Sequence, residues 1–226
     1  MKRRAFLAGL GSAGLLAGAA DEKRLLLPTD KPDQFNLRTM WYAPVPPVDP
    51  SKWTLEVKGL VEKPMRFTIA DLRKLPHVEK SLRMKCVQCW SARNTWGGFV
   101  FQELIERVKP KANVRAVRFD CADKWYEYMS LEEMRLPSVL LALDLAGKPL
   151  TDNHGAPLRM IDASKYGYKS AKLIHTVTFV EQGKGSMACD LGPFYTPGGE
   201  ILAGYDHPLD LGGEKRKIRG GEIKDY

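Results

Sequence analysis

Arg83-Met-Lys-Cys86-Val-Gln-Cys89-Trp90-Ser91 surrounds one thiol with cations and aromatics: Arg83 and Lys85 precede Cys86, and Trp90 and Trp96 follow it. Nearby positive charge lowers a thiol pKa, and the thiolate is the form that attacks an electrophile or binds a soft metal. A purely structural cysteine sits more naturally in a run of aliphatics. On these residues alone three readings stay open: a functional thiol at Cys86, a packed cysteine, or a Cys86–Cys89 disulfide. The four cysteines of the 226-residue chain, Cys86, Cys89, Cys121 and Cys189, are too few for a disulfide scaffold. A second C-x-x-C pair, which a structural zinc site would want, is missing.

A second dense segment lies downstream, His154-Gly-Ala-Pro-Leu-Arg159 followed by Lys165-Tyr-Gly-Tyr-Lys169-Ser170-Ala171-Lys172. Its glycines allow close backbone approach to a ligand. His154, Arg159, Lys169 and Lys172 have the chemistry to hold a phosphate, and arginine does so bidentately. The bland alternative is a surface loop with ordinary lysines.

Around these segments the chain has a clear order. Met1-Lys-Arg-Arg-Ala-Phe-Leu and the small, apolar run to Ala20 have the pattern of a twin-arginine export signal over residues 1–20, with an A-x-A-type cleavage site at Ala17-Gly-Ala19. That route carries folded proteins, commonly with a cofactor already inserted, to the periplasm. Loss of residues 1–20 would remove Lys2, Arg3 and Arg4 and lower the formal charge from +8 to +5. The remaining excess is spread along the chain apart from Glu214-Lys-Arg-Lys-Ile-Arg219, so nucleic-acid binding has little support. Residues 21–34 read as a linker, 35–182 as one domain, and 183–226, rich in Gly and Pro, as an irregular tail wrapping it.

Within the domain, alternation predicts strands over Trp53–Val61 and Val114–Cys121, with Val117, Phe119 and Cys121 on one face of the second. Further strands are predicted over Val139–Leu143, Leu158–Ile161 and Leu173–Val180. Capping boxes at Thr68–Asp71 and Ser130–Glu133 open short helices, the first running to Leu75, and Gln102–Val108 has a helical apolar face. The fold class is α+β, mixed sheets with short helices. No G-x-G-x-x-G, Walker or G-x-S-x-G pattern occurs, which argues against nucleotide folds and serine hydrolases.

With both dense segments in view, the chain resembles the sulfite-oxidase-fold molybdenum-cofactor proteins over roughly residues 33–182. The matches are Arg-Met-Lys-Cys-Val-x-x-Trp-Ser with Trp96-x-Gly98-Phe99, then Gly-Ala-Pro-Leu-Arg with Lys-Tyr-Gly-Tyr-Lys-x-x-Lys. It is most similar to the reductase branch, which acts on methionine sulfoxide in the periplasm. The resemblance implies that Cys86 binds molybdenum directly, with a pterin dithiolene completing the site. It further implies that His154, Arg159, Ser170, Ala171 and Lys172 hold the pterin and its phosphate, and that Arg38 and Trp41-Tyr42 lie in the region that touches it. Cys121 stands where reductase-like members carry a threonine, so it either lines the site or is a buried strand cysteine. Two departures stand out. The reductases have a small residue at Cys89 and an asparagine at His154, where sulfite oxidases have histidine.

Such a site transfers oxygen atoms. The Asn-Arg pair that follows the ligand cysteine of sulfite oxidases is missing here, and Trp125 aligns with their substrate tyrosine. Trp90, Trp96, Trp125 and Tyr126 would favour a neutral S-oxide over dianionic sulfite, although core packing is their commonest role. Asp123 is either a proton donor or a turn residue. The stretch after Val180 is too short for the immunoglobulin-type dimerisation domain of sulfite oxidases, so a monomer is expected, exchanging electrons with a membrane haem or cytochrome partner. Rival readings are a sulfite dehydrogenase, a thiol–disulfide protein using Cys86 and Cys89, and a noncatalytic cofactor-binding module.

Overall fold

A computed structural model describes residues 32–38, 40–45, 47–87, 91–191 and 195–201, together with the backbone of 205–206 and 216–217. The predicted signal over 1–20, Cys89 and Trp90 lie outside the described residues, as does most of the linker over 21–34.

Two five-stranded sheets carry the domain. The first has the order β2 (Met65–Thr68), β1 (Thr54–Gly59), β10 (Ile174–Val180), β5 (Ala116–Cys121), β6 (Tyr126–Ser130). β1 and β10 pair in parallel and the other neighbours antiparallel. Leu55 and Val57 on β1, Val117 and Phe119 on β5, and Val177 and Phe179 on β10 are fully buried together, because the strand period of two collects alternate residues on the inner face. The second sheet runs β3 (Val78–Lys85), β4 (Ser91–Val100), β7 (Leu140–Leu145), β8 (Lys148–Pro149), with β9 (Arg159–Ile161) also on β7. Every residue of β7 is buried. β8 takes its Asp144 end and β9 its Leu140 end, so both lie on the edge opposite β4.

The short helices are fixed by their caps. At α1 (Ile69–Leu72), Thr68 Oγ1 accepts from Asp71 N–H and the Asp71 carboxylate accepts from Thr68 N–H. α3 (Leu131–Met134) repeats the arrangement with Ser130 and Glu133. α2 (Gln102–Val108) buries Leu104, Ile105 and Val108, as its apolar spacing predicts. The first helix stops at Leu72, three residues short of the predicted end, and Leu75 continues only as a turn on the Leu72 carbonyl.

The β3–β4 hairpin has no counterpart among the sequence-predicted elements. It pairs Val78 with Gly98 through to Lys85 with Ser91 and carries the Cys86 segment at the end of β3. Its half nearest Cys86 is masked in the sequence by charge, since Arg83 and Lys85 are 7% and 4% exposed, in positions where a strand normally shows aliphatics. β2 and β6 are likewise new, and β6 hides a buried acid, Glu127. Among the described residues no helix is long and apolar enough to cross a membrane.

Candidate active site

Cys86 follows β3 directly, and β3 is held in place there by a parallel bridge between Lys85 and Tyr166. The thiol is buried with Val87, Tyr166, Tyr168 and Ala188, and Trp125, Tyr195 and Ile201 pack on that cluster. The pleat sends Met84 to the face occupied by Arg159, whose Nη2 lies 3.7 Å from Met84 Sδ. Arg83 and Lys85, the cations nearest in sequence, project to the other face. The positive charge available on Met84's side therefore comes from the second dense segment.

That segment is brought to the site by three features. β9 delivers Arg159, which donates Nη1 to the His154 carbonyl at 2.9 Å and stacks 4.9 Å above the Trp96 ring. Gly155 has φ +93°, and a Cβ there would lie 2.8 Å from Lys172 Cβ, so glycine lets the lysine stem pass. Leu173 then hydrogen-bonds both ways, its N–H to the Gly155 carbonyl and its carbonyl to Ala122 N–H, which sets Lys172 beside the β5–β6 turn. The Lys172 ammonium lies 3.6 Å from the Trp41 ring centroid and donates to the Met40 carbonyl.

Asp123 closes the arrangement. It is 4% exposed, accepts Trp125 N–H at 3.2 Å on one carboxylate oxygen and Tyr42 N–H at 3.1 Å on the other. Both oxygens are thus committed to backbone, and Tyr42 and Trp125 meet edge to face at 6.1 Å. Asp123 thereby fastens the backbone of Tyr42 to the turn before Trp125. Arg38 is half-buried on the same arm.

Electrostatics separates the thiols and the cations. Burial first, and then the carboxylate of Asp123, push the Cys121 thiol well above its ordinary range, while the Lys172 backbone N–H bonds to it and opposes this. Cys121 is therefore a protonated strand cysteine, facing the core that contains Val117 and Ile174. Burial lowers the Arg159 guanidinium to about 9. Burial and the nearby Arg159 lower the Lys172 ammonium to about 7. Neither cation has a carboxylate at ion-pair distance among the described residues, and Arg159 Nε has no hydrogen-bond partner there. A cation drawn from water without an ion-pair partner is costly, and a bound anion offsets that cost.

Other expectations are corrected by the geometry. Lys169 does not face a phosphate: it is 1% exposed and donates to Glu127 at 2.5 Å, the Tyr128 carbonyl at 2.7 Å and the Pro197 carbonyl at 2.8 Å. His154 has both ring nitrogens occupied, Nδ1 with Thr151 Oγ1 at 2.9 Å and Nε2 with Asp33 at 2.5 Å, so it serves Arg159 through its carbonyl. Ser170 Oγ accepts Asp162 N–H at 3.4 Å, and Ala171 pairs through its backbone with Met160. Among the described residues, which leave out Trp90, the expected aromatic cage does not assemble. Trp96 is fully buried under Arg159, and Tyr126 turns away to Arg118 and Asp190, which leaves Trp125 beside the Cys86 cluster. The sequence reading missed Asp33 and Glu127. A run Tyr126-Glu-Tyr-Met between strand residues was the available signal for the last.

The donor set fits a molybdopterin. Among the described residues no three His, Cys, Asp or Glu side chains converge, so a metal near Cys86 has to bring most of its ligands with it. The cation pair Arg159 and Lys172 suits the phosphate of that group.

Comparison with known proteins agrees. The family model described as oxidoreductase molybdopterin binding domain matches residues 42–188. A protein-methionine-sulfoxide reductase catalytic subunit of Ralstonia nicotianae is 37% identical over 149 residues, 59% of this chain and 45% of that protein. The same-named protein of Gluconobacter oxydans is 27% identical over 218 residues, 80% of this chain and 70% of that protein. The aligned part of the chain thus spans less than half the length of the Ralstonia relative. The sulfane dehydrogenase SoxCD of Paracoccus pantotrophus shares the fold, with a TM-score of 0.61 at 18% identity over 66% of this chain and 43% of that one. The match over residues 42–188, on a fold shared with a sulfite-oxidase-type enzyme, makes this chain a member of the molybdopterin-binding oxidoreductases.

Proposed function

We propose that the protein is exported by the twin-arginine route and reduces S-oxides, methionine sulfoxide first among them, at a molybdenum bound by the Cys86 thiolate. The observation that carries the reading is the pair of cations, buried Arg159 and half-buried Lys172, neither in an ion pair among the described residues, with Lys172 linked through Trp41, Tyr42 and Trp125 to the Cys86 cluster. The two reductase relatives supply the substrate class. When bound, the molybdopterin supplies two-electron redox chemistry and a metal that accepts or gives an oxygen atom.

The chain's own residues do the rest. Arg159 and Lys172 hold the anionic end of the group, and a bound phosphate restores Lys172 to its charged form. The His154 carbonyl keeps Arg159 directed, and Asp33 and Thr151 hold the imidazole from behind. Asp123 fixes the backbone of Tyr42 and Trp125, so an apolar aromatic edge lines the approach to Cys86. That lining favours a neutral sulfoxide over sulfite, a dianion that needs several convergent cations beside the metal. Electrons come from a membrane haem or cytochrome partner.

Protein purified from a molybdenum-supplied host is the test. It should contain about one molybdenum per chain and reduce methionine sulfoxide with a chemical electron donor, leaving sulfite untouched. Cys86→Ser should lose the metal and the activity, and Cys89→Ser should keep both. Sulfite turnover without sulfoxide turnover would reverse the assigned direction, and metal retained by Cys86→Ser would overturn the ligand. Replacing Arg3 and Arg4 by lysine should leave the protein in the cytoplasmic fraction.

A further inference from the structure

The stretch 165–169 carries a second piece of chain on its outer side. Thr196 N–H donates to Tyr168 Oη at 3.0 Å, and that hydroxyl donates to the Thr196 carbonyl at 2.9 Å. Tyr166 N–H donates to the Gly199 carbonyl at 2.8 Å, and Lys169 Nζ reaches the Pro197 carbonyl. Lys165 pairs with Glu200 at 3.0 Å, and their backbones form an antiparallel bridge. Gly199 has φ +67°, and a Cβ there would sit 2.3 Å from Lys169 Cγ, so a glycine is what allows this approach.

The two ends of this segment, Tyr195 and Ile201, pack on the cluster that buries Cys86. The sulfur-bearing residue is 9% exposed with the segment in place. The fastenings are hydrogen bonds and one rim ion pair, contacts that local opening breaks without global unfolding.

We propose that residues 195–201 are a latch over the Cys86 sulfur, which opens as one piece to admit the cofactor and then closes on it, with Tyr168 as its fastening residue. The backbone that receives the latch runs on directly into Ser170–Lys172. Seating an anion at Lys172 steadies that backbone and favours the closed latch, and closure in turn strengthens retention, since coupling between two sites is reciprocal. The latch rests on the preceding reading only in taking Cys86 as the sulfur the metal needs, and its first test uses no metal.

In cofactor-free, full-length protein carrying Cys89→Ser, the rate at which N-ethylmaleimide alkylates Cys86 reports opening, read by mass spectrometry of the Cys86 peptide. Tyr168→Phe keeps the ring and removes both bonds to Thr196, and Glu200→Ala removes the rim pair. Tyr168→Phe should speed Cys86 labelling about tenfold, the factor that loss of one or two hydrogen bonds gives an opening equilibrium, and Glu200→Ala, which removes an exposed ion pair, about two- to fivefold. Cys121, buried in the other core, should label at the wild-type rate. Wild-type labelling at Cys86 in both variants overturns the latch, and so does equal acceleration at Cys121, which would mean general loosening. In cofactor-loaded protein the same variants should release molybdenum faster into a chelator by the same factors, and unchanged release overturns the role in retention. A labelling contrast in protein that never takes up molybdenum supports the latch and sinks the ligand reading instead.

Discussion

Lys172 and Arg159 show how a residue's cost in one state becomes its use in another. Each is lowered by burial, Lys172 to about 7 and Arg159 to about 9. For a base whose folded pKa lies below its unfolded one, the unfolded chain holds the extra proton between the two values, so stability rises with pH through that window. For Lys172 the window opens at about 7 and extends to its ordinary 10.5. The cofactor-free protein should therefore gain stability from pH 7 to 9, by at most about 1.4 kcal/mol per pH unit. Urea unfolding at several pH values checks this, and Lys172→Met should flatten the slope. The same variant should melt at a higher temperature without cofactor and hold at least tenfold less molybdenum with it. Both lysines and the arginine of this stretch were legible in the sequence as cations. What the sequence could not show is that Lys169 has a buried carboxylate partner while Lys172 has none at ion-pair distance among the described residues, because Glu127 sits 42 positions away and is brought in by folding.

The elements were legible where a local rule writes them. Both capping boxes form as their residue spacing predicts, and α2 matches its apolar face to the residue. Loss of the cap in Ser130→Ala should cost about 1 kcal/mol in urea unfolding. Glu133→Ala should cost more than Asp71→Ala at the equivalent place, since Glu133 also takes Lys165 Nζ at 2.7 Å and Lys165 is 8% exposed. The β3–β4 hairpin was illegible for an opposite reason. Its inner positions near Cys86 hold Arg83 and Lys85, so the strand period is overwritten by charge at the point where the site is built. Gly155→Ala belongs to this scale too. Its positive φ and the 2.8 Å approach to Lys172 predict lower stability and lower molybdenum content together, read by thermal melting and elemental analysis.

Across the whole molecule the tie between the edge of the first sheet, the 165–172 stretch and the segment after Val180 is a buried ion pair. Glu127 is held above the usual carboxylate range by burial, although Lys169 at 2.5 Å opposes that. Ser186 Oγ adds a 2.6 Å bond to the same carboxylate. Removing one partner leaves a buried charge unpaired. Lys169→Met or Glu127→Leu alone should therefore destabilise by roughly 3–5 kcal/mol, while the double replacement recovers most of the loss. Equilibrium denaturation of the three variants decides it, and additive losses would mean the two residues do not act as a pair.

The strand order of the first sheet bears on how the protein is made. β10, at its centre, is the last of the five to leave the ribosome, and β1 hydrogen-bonds only to it and to the short β2. For roughly 120 residues of synthesis after β1 emerges, its outer edge waits for a parallel neighbour, the slow kind of long-range pairing. The nascent chain must be kept from aggregating through that wait, and any message that ends before Val180 yields a product with a gap in the middle of its sheet.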